Sequence, residues 1–128
     1  MDGIEGLRLL LVEDEYVLAL GLADALGDMG AVVLGPVTTV EDALGLVERV
    51  PEIDAAVLDV NLGQQVVYPV ADALIARGIP FLFSTANEPG ALPERFAHMP
   101  VCRKPFKVDD FRDAVLRLHR PPPSRRVA

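Results

Sequence analysis

The stretch Leu9-Leu10-Leu11-Val12-Glu13-Asp14 runs large apolar residues straight into a pair of acids, and Ala55-Ala56-Val57-Leu58-Asp59 repeats the pattern with a single acid. Phe81-Leu82-Phe83 leads in the same way to Ser84-Thr85, and Val101-Cys102 leads to Arg103-Lys104-Pro105. Runs this short and this continuously apolar read as parallel strands buried on both faces. Acid pair, single acid, hydroxyl and lysine meet only if those strands are neighbours. Carboxylates gathered in one cleft repel unless a cation or proton neutralises them. The acids therefore argue for a metal site, and the lysine and hydroxyl for an anion beside it.

Working outward, helical patterns separate the apolar runs Leu7–Val12, Ala31–Leu34, Ala55–Asp59, Phe81–Ser84 and Val101–Arg103. Leu18, Leu22, Ala25, Leu26 and Met29 recur at helical spacing until Gly30 stops the helix. Thr38 followed by Glu41 reads as a capping box, opening a helix with Val40, Ala43, Leu44 and Val47 on one face. Pro51 limits its continuation. Pro69 suits the first turn of a third helix through Val70, Ala73 and Leu74, closed by Gly78. A last helix is predicted from about Val108 to His119, with Phe111, Val115 and Leu118 inward. Between Asn87 and Pro100, prolines and Gly90 leave room only for a short helix near Glu94–Ala97.

This alternation, with right-handed crossovers, predicts an α/β, flavodoxin-like doubly wound sheet of five parallel strands in the order 2-1-3-4-5, with a short or irregular fourth helix. Strands 1 and 3 then lie side by side. Ligands bind such sheets at the carboxyl ends of the strands, so Glu13, Asp14, Asp59, Thr85 and Lys104 share one rim.

The chain has 128 residues, 51% of them apolar, enough for one domain with a proper core. No apolar run approaches a membrane span, and Met1-Asp2-Gly3-Ile4-Glu5 lacks a basic signal-peptide head. The expectation is a soluble, cytoplasmic protein with no membrane partner. Cys102 is the only cysteine and reads as a small core residue. The net charge is −7, and because the segment from Arg120 holds three arginines and no acid, the body before it carries −10. So acidic a body disfavours nucleic acid and favours a divalent cation or a basic protein surface. Residues 1–119 are expected to form the domain, and the proline- and arginine-rich residues 120–128 a disordered tail.

Mg²⁺ prefers a few carboxylates, a carbonyl and retained waters. Asp14 and Asp59 are the candidate direct ligands, Asn61 is placed to add its backbone carbonyl, and Glu13 to bind through water. An Asp59 oxygen left free is a nucleophile toward phosphorus. In-line phosphoryl transfer needs positioning and neutralisation of the equatorial oxygens. Mg²⁺, the Lys104 ammonium and the Thr85 hydroxyl supply one contact each. Taken singly, each of these residues is as well explained as a turn former, a helix cap or a surface charge; the set at one sheet edge is what points to chemistry. Tyr68 reads as packing at the mouth of the third helix, or as a gate beside the phosphoryl group.

The segments Leu10-Leu11-Val12-Glu13-Asp14-Glu15, Ala56-Val57-Leu58-Asp59-Val60-Asn61-Leu62, Phe83-Ser84-Thr85-Ala86 and Arg103-Lys104-Pro105-Phe106 resemble the receiver domain of bacterial two-component response regulators. The resemblance spans about Leu7 to His119. It implies Asp59 as phosphoacceptor, Glu13 and Asp14 completing the Mg²⁺ site, Thr85 as switch hydroxyl, Lys104 on the phosphoryl group, and a cis Lys104–Pro105 bond. The partners it implies are a histidine kinase or histidine phosphotransfer protein and a downstream protein target. Such a receiver catalyses its own phosphorylation and dephosphorylation and is not a turnover enzyme.

The chain departs from typical receivers in carrying Gly63 where a proline is usual, Val101 where an aromatic switch residue is usual, and a short interval between Thr85 and Lys104. These traits resemble stand-alone alphaproteobacterial variants associated with HWE-type histidine kinases. Their Phe-Ala-Thr-Gly-x-Tyr signature is matched only in part by Phe83-Ser84-Thr85-Ala86-Asn87-Glu88. Without an aromatic at Val101, ordering of the segment from Glu88 to Pro100 is the expected switch. Two rivals stand beside this reading: a phosphate-independent binding module of the same fold, and a small Mg²⁺-dependent phosphatase. The phosphatase would need a general acid where the chain has Asn61.

Overall fold

The computed structural model describes residues 3–86, 92–105 and 107–118. The predicted tail 120–128, His119, Phe106, and the Asn87 and Glu88 of the variant signature lie outside the described residues. The elements are β1 (Arg8–Val12), α1 (Tyr16–Asp28), β2 (Val32–Val37), α2 (Val40–Arg49), β3 (Ala55–Asp59), β4 (Asn61–Leu62), β5 (Gln65–Val66), α3 (Tyr68–Ala76), β6 (Phe81–Thr85), a 3-10 turn (Glu94–Phe96), β7 (Val101–Arg103) and α4 (Val108–Leu118). Five of the strands form one parallel sheet ordered β2-β1-β3-β6-β7. Counted without the small β4–β5 hairpin, this is the predicted flavodoxin-like order.

Alternate residues along each buried strand face opposite sides of the sheet. Leu10, Val12, Ala56, Leu58, Phe81 and Phe83 pack with Ala43 and Val47 of α2, Val70, Ala71 and Leu74 of α3, and Phe96. Leu9, Leu11, Ala55, Val57 and Leu82 pack on the other side with Leu22 and Leu26 of α1 and Phe111 and Val115 of α4. A strand needed by two cores cannot alternate polar with apolar, which explains the unbroken apolar runs in the sequence. Cys102 is half-buried against the second core, as a small core residue would be.

Among the described residues the predicted short fourth helix is the 3-10 turn Glu94–Phe96, anchored by the fully buried Phe96. Tyr68 stacks at 5.3 Å on Phe96 and sets its edge against Phe83 at 6.2 Å, so it packs at the start of α3. Arg95 lies over the Phe96 ring and pairs with Asp72 of α3. The 3-10 turn is thereby tied to α3.

Three boundaries differ from the sequence reading. The cap of α2 is Thr39, whose hydroxyl accepts from the Asp42 N–H at 3.1 Å, rather than the Thr38/Glu41 box. Two adjacent threonines offered the same chemistry, and the extended backbone of Thr39 decides between them. β2 runs on through Pro36 to Val37; as an edge strand it tolerates a residue with no N–H. Finally, β4 and β5 pair antiparallel, Asn61 opposite Val66 and Leu62 opposite Gln65, where the sequence reading placed only a long connection. Gly63, at φ 62°, opens the two-residue turn between them.

Candidate functional site

Strand register builds the rim. Val12 pairs with Leu58, Asp59 with Ser84, and Thr85 with Arg103. Glu13 therefore follows β1 beside Asp59, the last residue of β3, and Lys104 follows β7 beside Thr85, the last of β6. The Lys104 N–H donates to the Thr85 carbonyl at 2.9 Å, and the Lys104–Pro105 peptide is cis, as the resemblance implied. Glu13, Asp59 and Thr85 are all buried.

The three predicted acids converge. One carboxylate oxygen from each of Glu13, Asp14 and Asp59 lies within 4.8 Å of the others. The Lys104 ammonium reaches into the same cluster, 2.8 Å from Glu13 Oε1, 3.4 Å from Asp59 Oδ2 and 3.3 Å from Glu15 Oε1. Asp59 Oδ1 accepts the Asn61 N–H at 3.3 Å, and Asp14 Oδ2 accepts the Gly63 N–H at 2.7 Å. Glu13 Oε2 takes the Glu15 N–H at 3.2 Å at the start of α1. Each acid thus has its own anchor before any ligand arrives.

The electrostatics are strained in one direction. Burial, then the Glu13 carboxyl, push the Asp59 acid up to about 8, and Lys104 only partly offsets them. Burial alone would lower the Lys104 ammonium. Its bond to Glu13 and the charges of Asp59, Glu13 and Glu15 outweigh that and raise it. Three carboxylates crowd one lysine, so the site has room for more positive charge.

That is the condition under which a hard divalent cation fits. Mg²⁺ takes hard oxygen ligands, carboxylates among them, and three carboxylate oxygens within 4.8 Å of one another offer such donors. Glu13, Asp14 and Asp59 have the right donor chemistry to hold it. Beside the rim, Glu15, Leu18, Ala86, Lys104 and Pro105 line a cavity of about 370 Å³, with Lys104 between cavity and acids. Tyr16, Val17 and Leu20 stand exposed in the first turns of α1.

Glu13, Asp14, Asp59 and Lys104 therefore come together, Asn61 joins them through its N–H rather than its carbonyl, and Thr85 ends the strand beside them. Two participants escaped the sequence reading: Glu15, the third carboxylate on Lys104, and Gly63. Glu15 follows the acid pair directly and was available as a candidate. A backbone N–H leaves no residue-type signal.

No model of a protein family matches the chain, and no curated protein does. Solved structures do. The chain is 43% identical to SdrG from Sphingomonas melonis Fr1, with a TM-score of 0.77 over 88% of this chain and 96% of that one. The BeF3-activated conformation of SdrG from Pseudomonas melonis Fr1 matches at 43% identity and a TM-score of 0.71, over 85% and 95% of the two chains. The non-phosphorylated HemR receiver domain from Leptospira biflexa follows at 27% identity and a TM-score of 0.75, over 91% and 98%.

Proposed function

Because the chain belongs to the receiver domains of bacterial response regulators, we propose that it accepts a phosphoryl group on Asp59 and signals through protein contacts in a two-component system or phosphorelay. The observation that carries this reading is the burial of Asp59 between Glu13 and Lys104, with its acid pushed up to about 8. An acid held so far from its ordinary state by burial and then by a neighbouring carboxyl is poised for an incoming cation and phosphoryl group.

In the proposed reaction an Asp59 carboxylate oxygen attacks phosphorus in line, forming an acyl phosphate as the donor's phosphorus–nitrogen bond breaks. The imidazole of the donor histidine leaves with the electron pair and takes up a proton. The Lys104 ammonium, 3.4 Å from Asp59, moves onto one phosphoryl oxygen. Thr85 supplies its hydroxyl from the end of the neighbouring strand. A bound Mg²⁺, held by Glu13, Asp14 and Asp59 with the Asn61 carbonyl, would neutralise the crowded acids and a phosphoryl oxygen. Asn61 offers no general acid for hydrolysis of a separate substrate, in keeping with receiver homologues acting in signalling rather than as classical enzymes.

The proposed donor is a histidine kinase, of the HWE type by resemblance, or a histidine phosphotransfer protein, acting in the cytoplasm. The known BeF3-activated form of SdrG supports a phosphorylation-driven switch in its relative here. The exposed Tyr16, Val17 and Leu20 beside the rim offer an apolar footing for the donor. Among the described residues, no helix is long and apolar enough to cross a membrane. Phosphate-affinity gels after incubation with a histidine kinase and ATP test the reading. A shifted band is expected for wild type and none for Asp59→Asn; an equally shifted Asp59→Asn band refutes it.

A further inference from the structure

The β4–β5 hairpin touches the rim through two backbone bonds, the 3.3 Å Asn61 N–H to Asp59 Oδ1 contact and the shorter, 2.7 Å Gly63 N–H to Asp14 Oδ2 contact. The hairpin is otherwise built to stay in place. Leu62 and the adjoining Val67 are buried in the α2/α3 core, and the Val67 N–H donates to the Val60 carbonyl at 3.0 Å. At its other side the Gln65 side-chain Oε1 accepts the Val40 N–H at the start of α2, at 3.2 Å. Gly63 adopts φ 62°, and a Cβ built there meets nothing within 4 Å. The position therefore demands a backbone conformation and an N–H, and it sets no limit on side-chain volume.

We propose that Gly63 is a positioning residue for cation binding, its backbone N–H holding the Asp14 carboxylate toward Glu13 and Asp59. This rests on the reading of the acid rim as a divalent-cation site. A carboxylate has lone pairs enough to accept one N–H bond and still ligate a metal. A partner bonded to a ligand in this way typically changes metal affinity by about 10–100-fold when lost. Asp14 is the most exposed of the three acids and the one that Lys104 does not pair with. The Gly63 N–H is the backbone donor that restrains it. By linkage the coupling runs both ways, so occupancy of the rim steadies the hairpin turn in return.

Two substitutions separate the required features. Gly63→Pro removes the N–H and cannot adopt positive φ, whereas Gly63→Asn keeps the N–H and tolerates the left-handed region. In calorimetric titration with Mg²⁺, Gly63→Pro should bind about tenfold or more weakly than wild type, with Gly63→Asn close to wild type. Wild-type affinity in a folded Gly63→Pro overturns the proposal. Amide hydrogen exchange in the intact protein gives the answer if that variant does not fold. The Gly63 N–H should be protected, more so with Mg²⁺, and should lose protection in Asp14→Ala while the Val67 N–H keeps its own. A Gly63 N–H equally protected in Asp14→Ala overturns the inference. Failure of wild type to bind Mg²⁺ at all would instead overturn the reading of the rim on which it rests.

Discussion

The two ends of the same sheet handle charge in opposite ways. At the amino end, Arg8 and Asp54 exchange bonds: the Arg8 N–H donates to Asp54 Oδ2 and the Asp54 N–H to the Arg8 carbonyl, both at 2.8 Å. The Arg8 side chain donates to the Glu52 carbonyl at 2.8 Å. Arg77 closes the end of α2, donating to the carbonyls of Val47, Val50 and Pro51. Orphan carbonyls at a helix end need such donors. At the carboxyl end, buried Glu13 and Asp59 together with Glu15 crowd the ammonium of Lys104, and Asp14 adds a further carboxylate beside Glu13 and Asp59. One end is satisfied by the fold alone and contributes stability. The other is left short of positive charge, and that shortage is where ligand chemistry enters.

The contrast breaks most severely at Lys104. Lys104→Met leaves Glu13 and Asp59 buried without their cation, and loss of one partner of a buried ion pair costs about 3–5 kcal/mol. Urea denaturation of the variant should show a loss of that order, partly restored by adding Asp59→Asn. A change within error would mean that the rim acids are not held by Lys104. At the opposite end, Arg77→Ala should cost about 1–2 kcal/mol, because its bonds reach carbonyls near the surface. That loss should be the same with and without Mg²⁺, since nothing at the amino end responds to the rim.

Asp59→Asn should have the smaller effect and the opposite sign, stabilising by about 1 kcal/mol, or a few degrees in Tm, at neutral pH. The sign follows from the raised acid. Between its ordinary value of 3.8 and about 8 the folded state holds a proton that the unfolded state has released. Wild-type stability from this group is therefore fully present below about 3.8 and falls as pH rises toward about 8. The advantage of Asp59→Asn should grow across that window in thermal melts without metal. An advantage independent of pH would contradict the crowding of the acids.

Much of this was legible in the sequence, because a strand buried on both faces leaves an unbroken apolar run and its end is marked by the first charge. Leu9–Val12 and Ala55–Leu58 located the rim in that way, and the parallel order followed from the alternation with helices. The β4–β5 hairpin was not legible: strands of two residues have no measurable period, and Gly63 stood out only as a departure from the family. The choice between Thr38 and Thr39 as cap depended on backbone geometry that two identical side chains cannot signal. Nor could spacing reveal that Lys104 lies on Glu13, since reaching the rim and choosing a counterion there are separate matters. Glu13 and Lys104 were placed as ligand contacts, and the fold shows them also restraining each other.

The central claim is that the charge shortage at the carboxyl end serves phosphoryl transfer to Asp59. Intact-mass measurement after incubation with acetyl phosphate, with Mg²⁺ or with a chelator, tests it most directly. Wild type should gain the mass of a single phosphoryl group only with Mg²⁺, and Asp59→Asn should gain none. A gain that survives Asp59→Asn, or a folded wild type that gains nothing with Mg²⁺, would contradict it.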